Sequence, residues 1–289
     1  SLPGARGLID GINQLALDLG LPLPPIGGAQ APATAVSGGI LTSESLSGYF
    51  QSTLHLQQFF DLSRELNLIL GVRGQEETRG LKNNRLGALN PLNNDQEITF
   101  FRFSVPDIKE KQLPLKFGLQ WYPWDETQLY TSFSRGFTAP TYNTVNFFSA
   151  PDRLKAQETD SYEIGVKTKL FDDAVTFNAA VFYIKQQELL TGFASITSGG
   201  VVRFDNVPRA RIYGGEFDLT WQPMRETNPG LVILGSFCYL DAQYEDYPDA
   251  RGYDAQSGLS YGQGALLSAR DASGKDIVRT PPITYTVAI

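Results

Sequence analysis

A single cysteine, a single histidine and a single methionine occur in this chain. One thiol cannot close an internal disulfide or build a thiolate metal site, so Cys238 reads as a small apolar filler. One imidazole leaves His55 as the only base open to a serine–histidine–aspartate relay, and no nucleophile motif accompanies it. Charged side chains are scarce too, at 19%, with a net charge of −7. That balance argues against nucleic acid as a partner. No apolar run approaches the roughly 18 residues of a membrane helix. This last absence excludes helical spans only, because a membrane barrel places its greasy band in alternate positions, where window hydropathy misses it.

What is abundant points to strands. Aromatics make up 12% of the 289 residues, and there are 28 glycines. Several short segments carry charge on one parity and bulk on the other. Leu113, Leu115, Phe117, Leu119 and Trp121 alternate with Gln112, Pro114, Lys116, Gly118 and Gln120. Tyr162, Ile164, Val166, Thr168 and Leu170 alternate with Ser161, Glu163, Gly165, Lys167 and Lys169, and the pattern returns at Tyr213, Gly215, Phe217, Leu219 and Trp221 against Glu216 and Asp218. Successive strand side chains point to opposite faces. Each segment therefore has one greasy face and one ionised face that must see water. Residues 174–187 and 231–240 are apolar on both parities, as expected of strands that face a packed interior such as a plug.

The pattern predicts strands at 44–56, 66–74, 111–121, 128–137, 160–170, 174–187, 211–221, 231–244 and 280–289, with short ones at 98–104 and 200–205. Pro114 cannot donate to a ladder and predicts an edge or bulge there. Connections alternate in length. Those at 57–65, 122–127, 171–173 and 222–230 are short and rich in turn formers; those near 75–110, 138–159, 188–210 and 245–279 are long. Residues 1–42 are rich in Pro, Gly and Ala and read as a loop or fragment edge, with a short helix at 7–19; residues 43–289 read as a single β unit. Short turns at one end, long loops at the other and strands of about 9–13 residues fit a tilted transmembrane barrel. A charge on the lipid face near the midplane costs about 2–4 kcal/mol, so Lys116, Glu163, Lys167, Glu216 and Asp218 are expected to face an aqueous bore. Trp121, Tyr122, Trp124, Phe171 and Trp221 gather near the short turns, where an aromatic girdle belongs. A soluble antiparallel sheet with one wet face also explains the alternation.

Leu129-Tyr130-Thr131-Ser132-Phe133-Ser134-Arg135-Gly136-Phe137-Thr138-Ala139-Pro140 resembles a strand that leads into an outer loop in TonB-dependent outer-membrane receptors. Glu158 through Asp172 is similar to that family's next strand and periplasmic turn, and Phe177-Asn178-Ala179-Ala180-Val181-Phe182-Tyr183 to the strand that returns. Gly214-Gly215-Glu216-Phe217-Asp218-Leu219-Thr220, Leu240-Asp241-Ala242-Gln243-Tyr244 and Thr280-Pro281-Pro282 continue the likeness, which spans residues 43–289. The resemblance implies an all-β, antiparallel transmembrane β-barrel, incomplete here at about half of roughly 22 strands. It implies a bacterial outer-membrane receptor for active uptake of a scarce ligand, most often a ferric siderophore. In the family an N-terminal plug fills the barrel, and the TonB complex of the inner membrane pulls on it; neither plug nor TonB-binding segment is evident in residues 1–42. The expected partners are outer-membrane lipid, the TonB complex through that plug, and the small ligand. A soluble β-sandwich that binds carbohydrate and a passive porin-like channel stay open as alternatives.

No catalytic, cofactor or metal residue is expected, and the chain reads as a transporter rather than an enzyme. His55 falls on the polar parity with Tyr49, Gln51 and Thr53. Asp246, Asp249 and Asp254 crowd one loop without the spacing of a calcium hand, and the Gly-rich stretch 258–264 lacks the context of a phosphate loop. Arg135, Arg203, Arg209 and Arg211 lie near the bases of the long loops, where they could meet an anionic siderophore.

Overall fold

A computed structural model describes residues 35–90, 96–143, 150–195, 201–253 and 266–289. The helix expected at 7–19 and the Gly-rich stretch 258–264 lie outside the described residues. In chain order the strands are β1 (Ala35–His55), β2 (Glu65–Asn90), β3 (Gln96–Phe103), β4 (Ile108–Gln112), β5 (Leu115–Trp124), β6 (Thr127–Thr138), β7 (Thr141–Tyr142), β8 (Arg153–Leu154), β9 (Gln157–Leu170), β10 (Val175–Ser195), β11 (Val201–Trp221), β12 (Ile233–Asp246), β13 (Ala250–Tyr253), β14 (Leu266–Arg270) and β15 (Ile283–Ala288). One helical turn, Gln57–Phe60, sits in the first short connection.

Among the described residues, eleven strands form one antiparallel sheet in the order β1-β2-β5-β6-β9-β10-β11-β12-β15, with β3 and β4 also paired to β2. Apart from the short β3, β4, β7, β8, β13 and β14, each strand pairs with the next one along the chain, which is the meander of a membrane barrel. The edges of this portion are β1 and β15.

Pairing fixes the faces, because cross-strand partners point to the same side. Phe117, Phe133, Tyr162, Tyr183 and Tyr213 form one continuous cross-strand row. Ile164, Val181, Gly215, Tyr239 and Ile283 form the next. The opposite face holds Ser132 beside Glu163, Ala180 beside Glu216, and Lys167, Asn178 and Asp218 in line. Among the described residues no second layer covers the greasy side. Ile164 is 62% exposed, Val181 60%, Phe117 44% and Phe217 39%. Soluble monomers rarely leave so broad an apolar surface bare, and a β-sandwich would have buried it. The run from Tyr162 to Leu170 extends about 27 Å along its strand. At a tilt near 40° it rises about 21 Å, close to the outward apolar band of such barrels, about 25 Å tall.

Three expectations change in detail. The long connections at 75–110 and 188–210 are largely strand. β2 runs on to Asn90 against β1 and β3, and the strands expected at 200–205 and 211–221 are a single one, β11. Beyond Val72 polar residues stand on both parities, so the alternation fades while the ladder continues. The segment 111–121 breaks in two at Leu113-Pro114, where the Pro114 carbonyl still accepts from the Arg73 amide at 2.9 Å. Finally, Tyr122 pairs with Glu65, on the parity opposite Trp121. Trp121, Trp221, Trp124 and Phe171 are all exposed, as an interfacial girdle requires.

Candidate functional site

The ionised face of the sheet and its long-loop end gather most of the chain's polar contacts. Around the middle of the wall, Tyr130 on β6 donates its hydroxyl to Glu163 Oε1 on β9 at 2.5 Å. The Lys167 ammonium stands 5.5 Å from the centre of the same ring, a cation–π distance. Tyr130 can lie flat because Gly165 is beneath it: a Cβ there would stand 2.6 Å from the ring. Glu216 and Asp218 on β11 complete a recess with Asn178 and Ala180. Three carboxylates against one ammonium leave this patch acidic. Phe182 covers Gly214 from the same side, which accounts for part of the apolar bulk on the inner parity of β10. Cys238 stands on this face too, between Glu216 and Thr284.

His55 faces the wet side at the short-turn end. Its Nδ1 is 2.6 Å from Asn67 Oδ1, and Asn67 in turn donates to Glu65 at 2.7 Å. No nucleophile stands among these contacts, so the imidazole acts as a polar wall residue. Among the described residues no group of three or more His, Cys, Asp or Glu is arranged to hold a metal ion. Asp246 ion-pairs with Arg209 at 3.3 Å, Asp249 is exposed, and Asp254 is outside the described residues.

At the long-loop end, β2 carries Gln75, Glu77 and Arg79 on the parity of Asn67. Glu77 is 4% exposed. A Ser45 hydrogen bond, joined by Gln75, Arg79 and Arg73, holds its carboxyl below the usual range against the opposing effect of burial. Its Oε2 lies 3.3 Å from Arg79. Loops fold onto this end. Tyr142, from the β6–β9 connection, packs with Leu81 and Ile108 and donates to the Pro106 carbonyl. Asn143 next to it exchanges two hydrogen bonds with the Phe204 backbone, at 2.8 and 2.9 Å. Lys155 and Asn206 exchange two more, and Lys155 Nζ reaches Glu188 at 2.7 Å. The β6–β9 connection therefore straps the β2 extension to that of β10 and β11. The β12–β15 connection packs likewise, with Tyr247 against Val207, Ala210 and Tyr244.

The arginines expected to meet a ligand do not stand on the wall's wet face. Arg135 shares the parity of Phe133 and clamps Asp160 at 2.6 and 2.7 Å. Arg211 lies 5.5 Å from the Tyr213 ring centre and donates to Gln243, while Arg209 pairs with Asp246. All three continue the greasy face past its aromatic row and are occupied by neighbours there. The side chain of Arg203 is outside the described residues. The mouth residues Glu77, Tyr142 and Asn143 were not expected, because their contacts join segments far apart in the chain.

The family model described as TonB dependent receptor-like, beta-barrel matches residues 13–289. Among solved structures, the chain is similar to the ferric yersiniabactin uptake receptor FyuA from Yersinia pestis, with a TM-score of 0.56 and 18% identity over 73% of this chain and 28% of that one. It is also similar to the siderophore receptor PiuA from Acinetobacter baumannii, with a TM-score of 0.53 and 17% identity over 86% of this chain and 31% of that one. A third, the copper transporter OprC, matches at 0.54 and 15% identity over 73% and 32%. The chain thus spans about a third or less of the length of these structures. The matched family consists of outer-membrane transporters, not enzymes. With one greasy and one ionised face along a single antiparallel sheet, this chain belongs to the TonB-dependent receptors, as a portion of their outer-membrane β-barrel.

Proposed function

We propose that the parent protein is an energised receptor that carries a scarce ligand, most fittingly a ferric siderophore, across the outer membrane. The observation behind this is the acidic patch at Tyr130, Glu163, Lys167, Glu216 and Asp218. Fixed charges lining a bore need partners of opposite sign or water. A plug bearing cations would supply them and block passive flow; pulling on that plug through the TonB complex would release the block. A porin reading accounts for a wet bore but gives no role to a connection strapped to the wall's extensions by Asn143 and Asn206. Two of the similar solved structures are described as a ferric yersiniabactin uptake receptor and a siderophore receptor, and another as a copper transporter. Two of those names favour a chelated metal as cargo, and the third names a metal.

Deleting the parent gene and measuring ferric siderophore uptake under iron limitation tests the reading. A specific loss, restored by the gene and abolished by a protonophore, is expected. Unchanged iron uptake would remove the siderophore assignment.

A further inference from the structure

On the greasy parity the aromatic row is followed by a row of charges. Arg135, Asp160, Lys185 and Arg211 stand each opposite the next across the ladder. From Trp221 to Arg211, β11 runs about 33 Å along the strand. At a tilt near 40° that rises about 25 Å, the full height of an outward apolar band. In a bilayer this row would stand where hydrocarbon gives way to headgroups. Tyr162, Tyr183 and Tyr213 lie just below it, as interfacial aromatics do.

Lys185 and Arg211 are direct cross-strand partners, and like charges in that position destabilise a sheet. Asp160, on the other side of Lys185, already gives both carboxylate oxygens to Arg135, at 2.6 and 2.7 Å. Arg211 is held by neutral groups, the Gln243 amide oxygen at 2.9 Å and the Tyr213 ring at 5.5 Å, while Glu245 stands off at 3.9 Å. Asp241, level with Tyr213, accepts that residue's hydroxyl at 2.8 Å. An anion with several oxygens set between Lys185 and Arg211 would turn their repulsion into attraction. Beside them the same face carries a shallow depression of about 390 Å³. Thr131, shorter than its row neighbours Leu119 and Ile164, leaves the dip. Ile164 and Val181 flank it, and Phe133, Tyr162 and Tyr183 make its upper rim. Its lining suits a hydrocarbon chain better than a polar ligand.

We propose that this stretch of wall seats one phosphorylated membrane lipid, its phosphate bridging Lys185 and Arg211 and one acyl chain lying in the depression below Tyr183. The proposal takes the greasy face to lie against hydrocarbon and is independent of the cargo. A lipid is favoured over a free anion because the cation pair and the apolar seat adjoin on one face, continuous with the greasy belt.

The test uses the full parent receptor, stripped of lipid in detergent and titrated with dioleoylphosphatidic acid, with bound lipid counted by native mass spectrometry. Dioleoylglycerol, which has the same chains and no phosphate, and inorganic phosphate are the comparison probes. Replacing both cations, Lys185→Gln with Arg211→Gln, is expected to raise Kd for phosphatidic acid about tenfold, a change of about 1.4 kcal/mol, and to flatten its salt dependence. The charge-keeping pair Lys185→Arg with Arg211→Lys should hold Kd within about threefold, which guards against a merely misfolded variant. Thr131→Trp fills the depression, leaves both cations in place and should weaken the lipid as well. Equal phosphatidic acid affinity in wild type and either the Gln or the Trp variant overturns the proposal, as does dioleoylglycerol bound as tightly as phosphatidic acid. Inorganic phosphate that displaces the lipid at equal concentration would make this a site for a free anion, and overturns it too.

Discussion

Arginine placed at Val166 puts the assignment of faces to its most direct test. Val166 lies midway along the outward run from Tyr162 to Leu170, with Leu129 and Ala179 as its cross-strand neighbours. If that side touches hydrocarbon, Val166→Arg costs about 2–4 kcal/mol, and the cost falls to about 0–1 kcal/mol near the interface. Leu170→Arg, at the end of the same run, should therefore be nearly silent. Ser132→Arg supplies the control on the other face, because Ser132 pairs with Glu163 and its new charge would find a carboxylate in water. In folding units the central substitution shifts the equilibrium between about thirtyfold and several hundredfold. Urea unfolding of the full receptor in lipid vesicles, followed by tryptophan fluorescence, reads this at equal m-value. The ordering Val166 far above Leu170 and Ser132 is the expected result. Equal costs at all three positions would refute the reasoning, since neither a protein layer nor water grades a charge by depth.

Gly165→Ala should displace the Tyr130 ring and weaken its bond to Glu163, lowering stability by about 1–3 kcal/mol. Gly214→Ala should cost at least as much, because the new Cβ would meet the Tyr239 carbonyl oxygen, which cannot swing aside. Gly48→Ala has open space, and its melting temperature should match wild type; a comparable loss at Gly48 would undo the steric account. Asn143→Ala removes both bonds to the Phe204 backbone, worth about 1 kcal/mol each. It should speed proteolysis in the β6–β9 connection while leaving the melting temperature of the wall unchanged. Arg85 chiefly, through a hydrogen bond at 2.7 Å, holds the Glu97 carboxyl below its ordinary value. A depressed carboxyl contributes stability that is present above the unfolded value of about 4.3 and is lost as pH falls through the lower folded value. Hydrogen exchange of the β2–β3 amides should be flat from neutral pH down to that range and accelerate only below it, once corrected for intrinsic rates. Acceleration already near neutral pH would contradict the sign.

The two-faced wall was legible because its two sets of side chains differ so sharply. A strand between hydrocarbon and water has no freedom over the order of Tyr162, Glu163, Ile164, Gly165, Val166 and Lys167: each parity answers to a different solvent. That constraint ends at the membrane surface. Past Val72 on β2 the sequence reads Arg73, Gly74, Gln75, Glu76, Glu77, Thr78 and Arg79, with polar groups on both parities, and the text becomes that of a loop. The ladder nonetheless goes on, held by backbone bonds to β1 and β4. Hydrogen bonding needs no alternation, so only three-dimensional pairing could reveal those extensions. The strap formed by Tyr142, Asn143 and Asn206 was hidden for the same kind of reason, since its partners lie tens of residues away.

The arginines are a different case, for the signal was in the sequence. Arg135 follows Phe133 by two residues and Arg211 precedes Tyr213 by two, so period-two alternation alone puts each on the side of its aromatic neighbour. Nearness to a long loop suggested a ligand; parity pointed outward, and the pairing to Asp160 and Gln243 agrees with parity. By the same rule Arg102 on β3 stands on the face opposite Phe101 and Phe103, level with Arg85 across the ladder. The lesson for a chain of this kind is that charge sign says less than committed partners. A cation already held by a carboxylate in its own row, as Arg135 is by Asp160, stabilises the wall and has no charge left over for a passing anion.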